Sequence, residues 1–381
     1  MRTSLRLLVP LLVLLPRTAP AQDAPPGLAV LVLGSGGPRA SPRASVGNLL
    51  LVDGRARVLI DAGPGTFVRA GEAHADLSAL DTVLLTHLHV DHSGELPAFV
   101  KTRALDADGP VRMRVLGPSG NSLFPSTAAF VEGLFGARGL YRYLHDFGAP
   151  MRVSGENIPA ALGSPPRTVK LDGGLTVTGQ AIHHGDTPAV AFRVETAGRS
   201  IVFAGDVDPS GLASLGKLAR DADLLVVSCA VLDPPGSPEA LYQRHSPPKP
   251  IGEMAAAAGV KALLLTHIPP AVEAEASQAL ASIRSSFHGQ VTLAQDGLRV
   301  PLPSLAPPVT PLAGPPPRPP PGDGPPCRTD SDCEKGTVCV SCGSVATCVH
   351  GCRTKADCPP GEVCQQVQCI RCPCPALCMG R

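Results

Sequence analysis

The chain has 381 residues, a size that predicts two or three folding units, and 44% of them are hydrophobic, enough for a sizeable core. With 33 Lys and Arg against 32 Asp and Glu the net charge is +1, which excludes a broad basic field of the kind that captures nucleic acid. Of 13 Cys, all but Cys229 lie from Cys327 onward, a clustering that goes with export to an oxidising compartment.

Residues 1–21 read as a secretory signal. Arg2 and Arg6 form a positive end, Leu7 to Leu15 is apolar except for Pro10, and Ala19-Pro20-Ala21 has the small-x-small cleavage pattern. A membrane span needs about 20 apolar residues. This run is shorter, and no membrane span is expected after cleavage. No Cys follows the cleavage site, which counts against a lipid anchor there. Cleavage after Ala21 removes three Arg and no acids, taking the net charge from +1 to −2. The expected location is secreted, periplasmic or cell-surface.

Strands follow at Leu28 to Leu33, Asn48 to Val52, Val58 to Ile60 and Val83 to Leu85. Further on they are expected at Leu175 to Thr178, Ala189 to Val194, Ile201 to Ala204, Leu224 to Val227 and Ala262 to Leu265. Helical patterns occupy Pro97 to Ala104 and Ile251 to Ala258. Strands and helices alternate only in part, which predicts an α/β fold with a mixed sheet and helices packed outside it. The segment from Phe124 to Tyr143, with Leu134, Leu140 and Tyr141, is open to three readings: cleft wall, homodimer contact or plain core. Residues 303–326 turn to Pro and Gly, a composition that gives an extended, semi-rigid linker.

Residues 327–381 form a Cys-rich module with an internal repeat. Cys327-Arg328-Thr329, Asp332-Cys333, Gly336 and Val338-Cys339 recur 25 positions later as Cys352-Arg353-Thr354, Asp357-Cys358, Gly361 and Val363-Cys364. Twelve Cys with few apolar residues predict a small disulfide-held module, with six bridges among Cys327 to Cys378 and Cys229 left as a buried thiol. A zinc ribbon at Cys339-x-x-Cys342 or Cys369-x-x-Cys372 is the alternative. Such a module would suit a cell-surface or matrix partner.

The densest chemistry is Thr86-His87-Leu88-His89-Val90-Asp91-His92-Ser93-Gly94. Three imidazoles and a carboxylate within six residues, at the end of an apolar strand, can converge on one small volume. Zinc demands such convergence, because its bonds to His nitrogen and carboxylate oxygen are only about 2.0–2.2 Å long.

His-x-His-x-Asp-His resembles the signature of the metallo-β-lactamase superfamily, and later segments resemble its ribonuclease Z and arylsulfatase-type branch. These are Gly34 to Pro38, Asp61-Ala62-Gly63, a Gly-Pro turn at Leu116-Gly117-Pro118, Ile182-His183-His184-Gly185, Phe203-Ala204-Gly205-Asp206 and Leu265-Thr266-His267. The resemblance covers about residues 28–302 and implies a hydrolase domain over 22–302. The implied fold is an αββα sandwich of two mixed sheets with outer helices. It implies two zinc ions: His87, His89 and His184 on the first, Asp91, His92 and His267 on the second, Asp206 between them, and a bridging hydroxide as nucleophile. His183 competes with His184; the neighbouring Gly and the family pattern favour His184. His245-Ser246-Pro247 resembles the segment that supplies the leaving group's proton, so Asp91 and His245 are the candidate catalytic residues.

The expected activity is hydrolysis of a small exported phosphodiester or sulfate ester. An exported nuclease, a lactonase or thioesterase, and a binding protein acting through the Cys-rich module are the alternatives. Slight acidity and the lack of a strongly basic arm count against nucleic acid.

Overall fold

In a computed structural model, the described residues are 27–302 except 197, and 327–380 except 335–336, 343–344, 359, 361 and 366–376. The signal segment and the Pro-rich linker lie outside them. The chain falls into two units, one ahead of residue 308 and one after it.

The first unit is a four-layer sandwich. Strands β1 (Leu28–Gly34), β2 (Gly47–Val52), β3 (Arg55–Ala62), β4 (Thr82–Leu84), β5 (Val111–Pro118) and β6 (Met151–Ile158) pair in that order. Strands β7 (Arg167–Lys170), β8 (Thr176–His184), β9 (Thr187–Thr196), β10 (Arg199–Phe203), β11 (Leu224–Ser228), β12 (Ala262–Thr266) and β13 (Gln290–Leu293) make the second sheet, again in order. The last strand of the unit, β14 (Arg299–Leu302), returns antiparallel to β1. Both sheets are mixed: β3 to β6 run parallel, as do β10 to β13, and the others are antiparallel.

β1 is buried along its whole length, because each face has its own partner. Val30 and Val32 enter the layer between the sheets, against Phe192 and Phe203, whereas Leu31 and Leu33 join the outer layer with Phe99 and Val100. A strand covered on both faces reads as one apolar run. Complete burial of a side chain such as Phe99 contributes roughly 1.5–3 kcal/mol. Outside the first sheet lie α1 (Thr66–Glu72), α2 (Val90–Ser93), α3 (Leu96–Asp106) and α4 (Thr127–Phe135). Four more helices, α5 (Leu212–Leu218), α6 (Pro248–Ala257), α7 (Pro270–Ala274) and α8 (Ala276–Arg284), belong to the second half, where Leu215, Ile251 and Ile283 cover the outer face of that sheet.

The structure departs from the sequence expectations at the Gly-Pro turn, and it divides the Phe124 to Tyr143 segment among the readings left open. Leu116-Gly117-Pro118 is the end of β5, paired with Glu156-Asn157-Ile158, and is no turn. The segment from Phe124 to Tyr143 divides between roles: Val131 and Phe135 on α4 are core, Leu140 and Tyr143 are exposed, and Phe124 lies 5.7 Å from the His89 ring. No helix among the described residues is long and apolar enough to cross a membrane.

In the second unit, β15 (Thr337–Cys342) pairs with β16 (Val345–His350), and β17 (Glu362–Gln365) with β18 (Leu377–Gly380). Disulfides join Cys327 to Cys339, Cys333 to Cys348 and Cys352 to Cys364, and Cys358 is also disulfide-bonded. Cys327–Cys339 and Cys352–Cys364 are the same bridge in the two repeats. Asp332 and Asp357 likewise both accept from the backbone N–H groups of their own Arg-Thr pair. Cys339 is oxidised, which removes it from the zinc-ribbon alternative; Cys369 and Cys372 lie outside the described residues. Cys229 is a buried free thiol in the first unit, and burial pushes its pKa up to about 12.

Candidate metal centre

The candidate residues stand where strands end. His87 follows β4, His184 closes β8, Asp206 follows β10 and His267 follows β12. Parallel strands that finish side by side place their following loops together, the usual place for a ligand site in such sheets. His89 precedes α2, Asp91 and His92 lie in it, and His245 lies just before α6.

Tight backbone approaches bring these loops together. A Cβ on Gly63 would lie 2.1 Å from the Asp91 carbonyl oxygen, and one on Gly37 would lie 2.8 Å from the His267 ring. Gly205 has φ +64°, and a Cβ there would meet the Thr86 hydroxyl at 2.5 Å. Asp61 and His267 both adopt left-handed φ values of 56°, a cost that clusters at functional sites.

The ligand atoms gather in groups that include His87 with His89 and His184, His87 with His92 and Asp206, and Asp91 with His92 and His267. Asp206 joins them. Its Oδ2 lies 3.2 Å from His267 Nε2, 3.7 Å from His92 Nε2, 3.8 Å from His184 Nε2 and 3.8 Å from His245 Nδ1. Asp91 Oδ2 is 3.3 Å from His267 Nε2 and 3.6 Å from His92 Nε2. Ligands about 2.1 Å from a tetrahedral ion are roughly 3.4 Å apart, the scale of these separations.

Neighbours fix which nitrogen each ring presents. His92 Nδ1 donates to Asp61 Oδ2 at 2.8 Å, and His184 Nδ1 donates to the Arg244 carbonyl at 2.7 Å, leaving both Nε2 atoms toward Asp206. His89 Nε2 meets the Thr187 hydroxyl at 3.1 Å, and its Nδ1 faces His87 Nε2 at 3.0 Å. Carboxylate and carbonyl partners of this kind hold a histidine ligand's tautomer and orientation. His183 is placed differently: its Nδ1 bonds the buried Asp208 carboxylate and its ring is 40% exposed, outside these groups.

Burial lowers the pKa of His87 far below its ordinary value and lowers those of His89 and His184, so these rings offer free lone pairs. Burial also opposes charge on His92 and His267, but Asp61 and Asp206 raise the first and Asp206 and Asp91 raise the second. Asp206 is held far below the carboxylate range by His267, His245 and His92 despite burial. Burial takes His245 down to about 4.

Several of these atoms are buried without a hydrogen-bond partner: His92 Nε2, Asp206 Oδ1, His245 Nδ1 and both ring nitrogens of His267. One such orphan costs about 1–3 kcal/mol, and five on one cluster is the signature of groups that meet an ion. Imidazole with carboxylate is a donor set for a transition metal such as zinc, and an all-oxygen cage would suit magnesium or calcium.

Residues 43–242 match the family model described as the metallo-beta-lactamase superfamily. A ribonuclease Z of Mycobacterium avium (strain 104) is 31% identical over 284 residues, 71% of this chain and 97% of that protein. Among solved structures, the metallo-beta-lactamase fold protein YhfI of Bacillus subtilis is 20% identical with a TM-score of 0.55, covering 71% of this chain and 98% of its own. The human tRNase Z, short form, is 23% identical with a TM-score of 0.54, covering 72% and 99%. The chain therefore belongs to the metallo-beta-lactamase superfamily, and it is a metal-dependent hydrolase.

Proposed function

We propose that the chain is an exported hydrolase of phosphodiester bonds that holds two zinc ions. The carrying observation is Asp206, whose Oδ2 lies within 4 Å of four imidazole nitrogens and so connects the His87, His89 and His184 group to the Asp91, His92 and His267 group. When bound, the ions supply Lewis-acid charge for ester oxygens and acidify water. Asp61, Thr187 and the Arg244 carbonyl hold the imidazoles in the required tautomers. Asp91 and Asp206 bring carboxylate charge to the same volume. His245 sits against Asp206 with its Nδ1 unpartnered, in position to donate a proton to a departing oxygen. It is neutral in the free protein, and the negative charge of a bound diester favours its protonated form.

Export is supported by the disulfides of the second unit, which persist in oxidising compartments. The mycobacterial relatives are named ribonuclease Z, which favours phosphodiester over sulfate and supports RNA as a second reading. A net charge of −2 after the expected cleavage counts against a polyanion, so a small diester is the substrate proposed. A surface or matrix partner for the Cys-rich module remains part of this reading.

The test is a panel assayed with added zinc: an aryl phosphodiester, an aryl sulfate, a lactone, a thioester and a short RNA. Turnover of the aryl diester, abolished by chelation, is expected. Turnover confined to the lactone or thioester would overturn the phosphodiester reading. His245→Ala should lower turnover modestly on nitrophenyl diesters and by about 10²–10⁴-fold on alkyl ones, with metal content unchanged. Equal loss on both would refute the proton-donor role.

A further inference from the structure

His92, His184 and His89 each have a ring nitrogen held by a neighbour: Asp61, the Arg244 carbonyl and Thr187. His267 has no such neighbour. Both of its ring nitrogens are buried without a hydrogen-bond partner among the described residues, and its backbone sits at a left-handed φ of 56°. Its Nε2 nevertheless stands 3.3 Å from Asp91 Oδ2 and 3.2 Å from Asp206 Oδ2. A metal-binding imidazole is normally oriented by an acceptor on its other nitrogen; this ring is oriented by packing.

The packing comes from the segment after β1. A Cβ on Gly37 would lie 2.8 Å from His267 Cε1 and 3.0 Å from its Nδ1, so the Gly37 backbone lies against the ring. The Ile268 N–H donates to the Ser35 carbonyl at 2.8 Å, which ties the same segment to the residue after His267. One carboxylate anchors this segment at both ends. Asp296 Oδ1 accepts from the Ser35 N–H at 3.0 Å and from the Ser35 hydroxyl at 2.8 Å. Its Oδ2 accepts from the Ala44 N–H at 2.7 Å and from Arg69 Nε at 3.1 Å. Hydrogen bonds to an ionised acceptor are the stronger kind. Asp296 is itself fixed from both sheets, because it lies between β13 and β14. The Ala294 N–H donates to the Leu265 carbonyl on β12, two residues before His267, and the Gly297 N–H donates to the Val32 carbonyl on β1, each at 2.8 Å.

We propose that Asp296 is a positioning residue for the metal centre. It sets the segment from Ser35 to Ala44 so that Gly37 holds the His267 ring with Nε2 toward Asp91 and Asp206. It acts through Ser35 and Gly37 and is no ligand itself. This rests on the reading of His267 as a metal ligand.

The test is titration of the metal-depleted, full-length protein with cobalt(II), whose absorption bands report coordination geometry, for wild type, Asp296→Ala, Asp296→Asn and Asp223→Ala. Asp223 is the control. It also holds three partners, Arg199, Lys261 and the Ser200 N–H, but it precedes β11, at the opposite end of that sheet from the metal centre. Wild type should take up two equivalents. Asp296→Ala should weaken one of them about 10–100-fold and shift its bands while the other holds. Asp296→Asn keeps one acceptor oxygen and should lose less. Asp223→Ala should lower the melting temperature with both affinities kept. If Asp296→Ala does not melt cooperatively, Asp296→Asn decides: a selective loss supports the role, and unchanged binding overturns it. Unchanged cobalt binding in a folded Asp296→Ala, or an equal loss in Asp223→Ala, also overturns it. A single equivalent in wild type would refute the two-metal reading. A fall in that one affinity on Asp296→Ala would still uphold the role, and no fall would overturn it.

Discussion

Asp61 should matter to metal binding although it is not a candidate ligand. It is buried at the end of β3, where Oδ1 accepts from the Thr86 backbone N–H and Oδ2 accepts from the Thr86 hydroxyl and from His92 Nδ1, all at 2.8 Å. Asp61→Asn tests this role cleanly. The residue has φ 56°, which asparagine tolerates and alanine does not, so the backbone is kept while one acceptor becomes an amide donor. Whichever way the amide turns, at least one of the three buried donors loses its partner. An unsatisfied buried donor costs about 1–3 kcal/mol, and each kcal/mol lowers the Tm of a domain this large by about 2–4 °C. The expected fall is therefore roughly 2–12 °C. With His92 no longer held by a carboxylate, metal affinity should drop about 10–100-fold, measured by competition with a chromophoric chelator. Wild-type affinity and melting in Asp61→Asn would refute the claim that Asp61 orients His92.

Gly63→Ala places a methyl 2.1 Å from the Asp91 carbonyl oxygen, and must push that loop by about 1 Å. A displacement of that size costs on the order of 10²-fold in rate, so kcat/KM should collapse with circular dichroism nearly unchanged; retained activity would contradict the close-packed loop. Cys229, with its thiol at about 12, should resist maleimide at pH 8 in the native protein and react only after unfolding without reductant. Labelling of several further cysteines under those conditions would contradict the disulfide-held second unit.

The parts of the site legible in the sequence are those concentrated locally. His87, His89, Asp91 and His92 stand within six residues after an apolar strand, and that density announces convergence without any knowledge of the fold. His184, Asp206, His245 and His267 are single residues at strand or loop ends, and only the family resemblance drew them into the set. The supporting contacts were less visible. Asp61 read as a strand-ending turn, and nothing local shows that its carboxylate reaches His92, 31 positions away. The Arg244 carbonyl on His184 and the Asp208 carboxylate on His183 are of the same kind. In the fold, the continuous apolar strands were found because burial on both faces leaves them no polar residues. β5 was missed because Arg112 and Arg114 interrupt it and its Gly-Pro end has turn chemistry. α8 carries only Ala279 and Ile283 as buried residues, too few for a readable period.

The groups around Asp206 are proposed to form one two-metal centre. Elemental analysis of the purified, unchelated protein, alongside His89→Ala and Asp206→Ala, tests it most directly. About two zinc equivalents per chain are expected in the wild-type protein, with both substitutions lowering the count and abolishing hydrolysis while the melting transition stays cooperative. One equivalent or none after zinc reconstitution of the wild-type protein would contradict it.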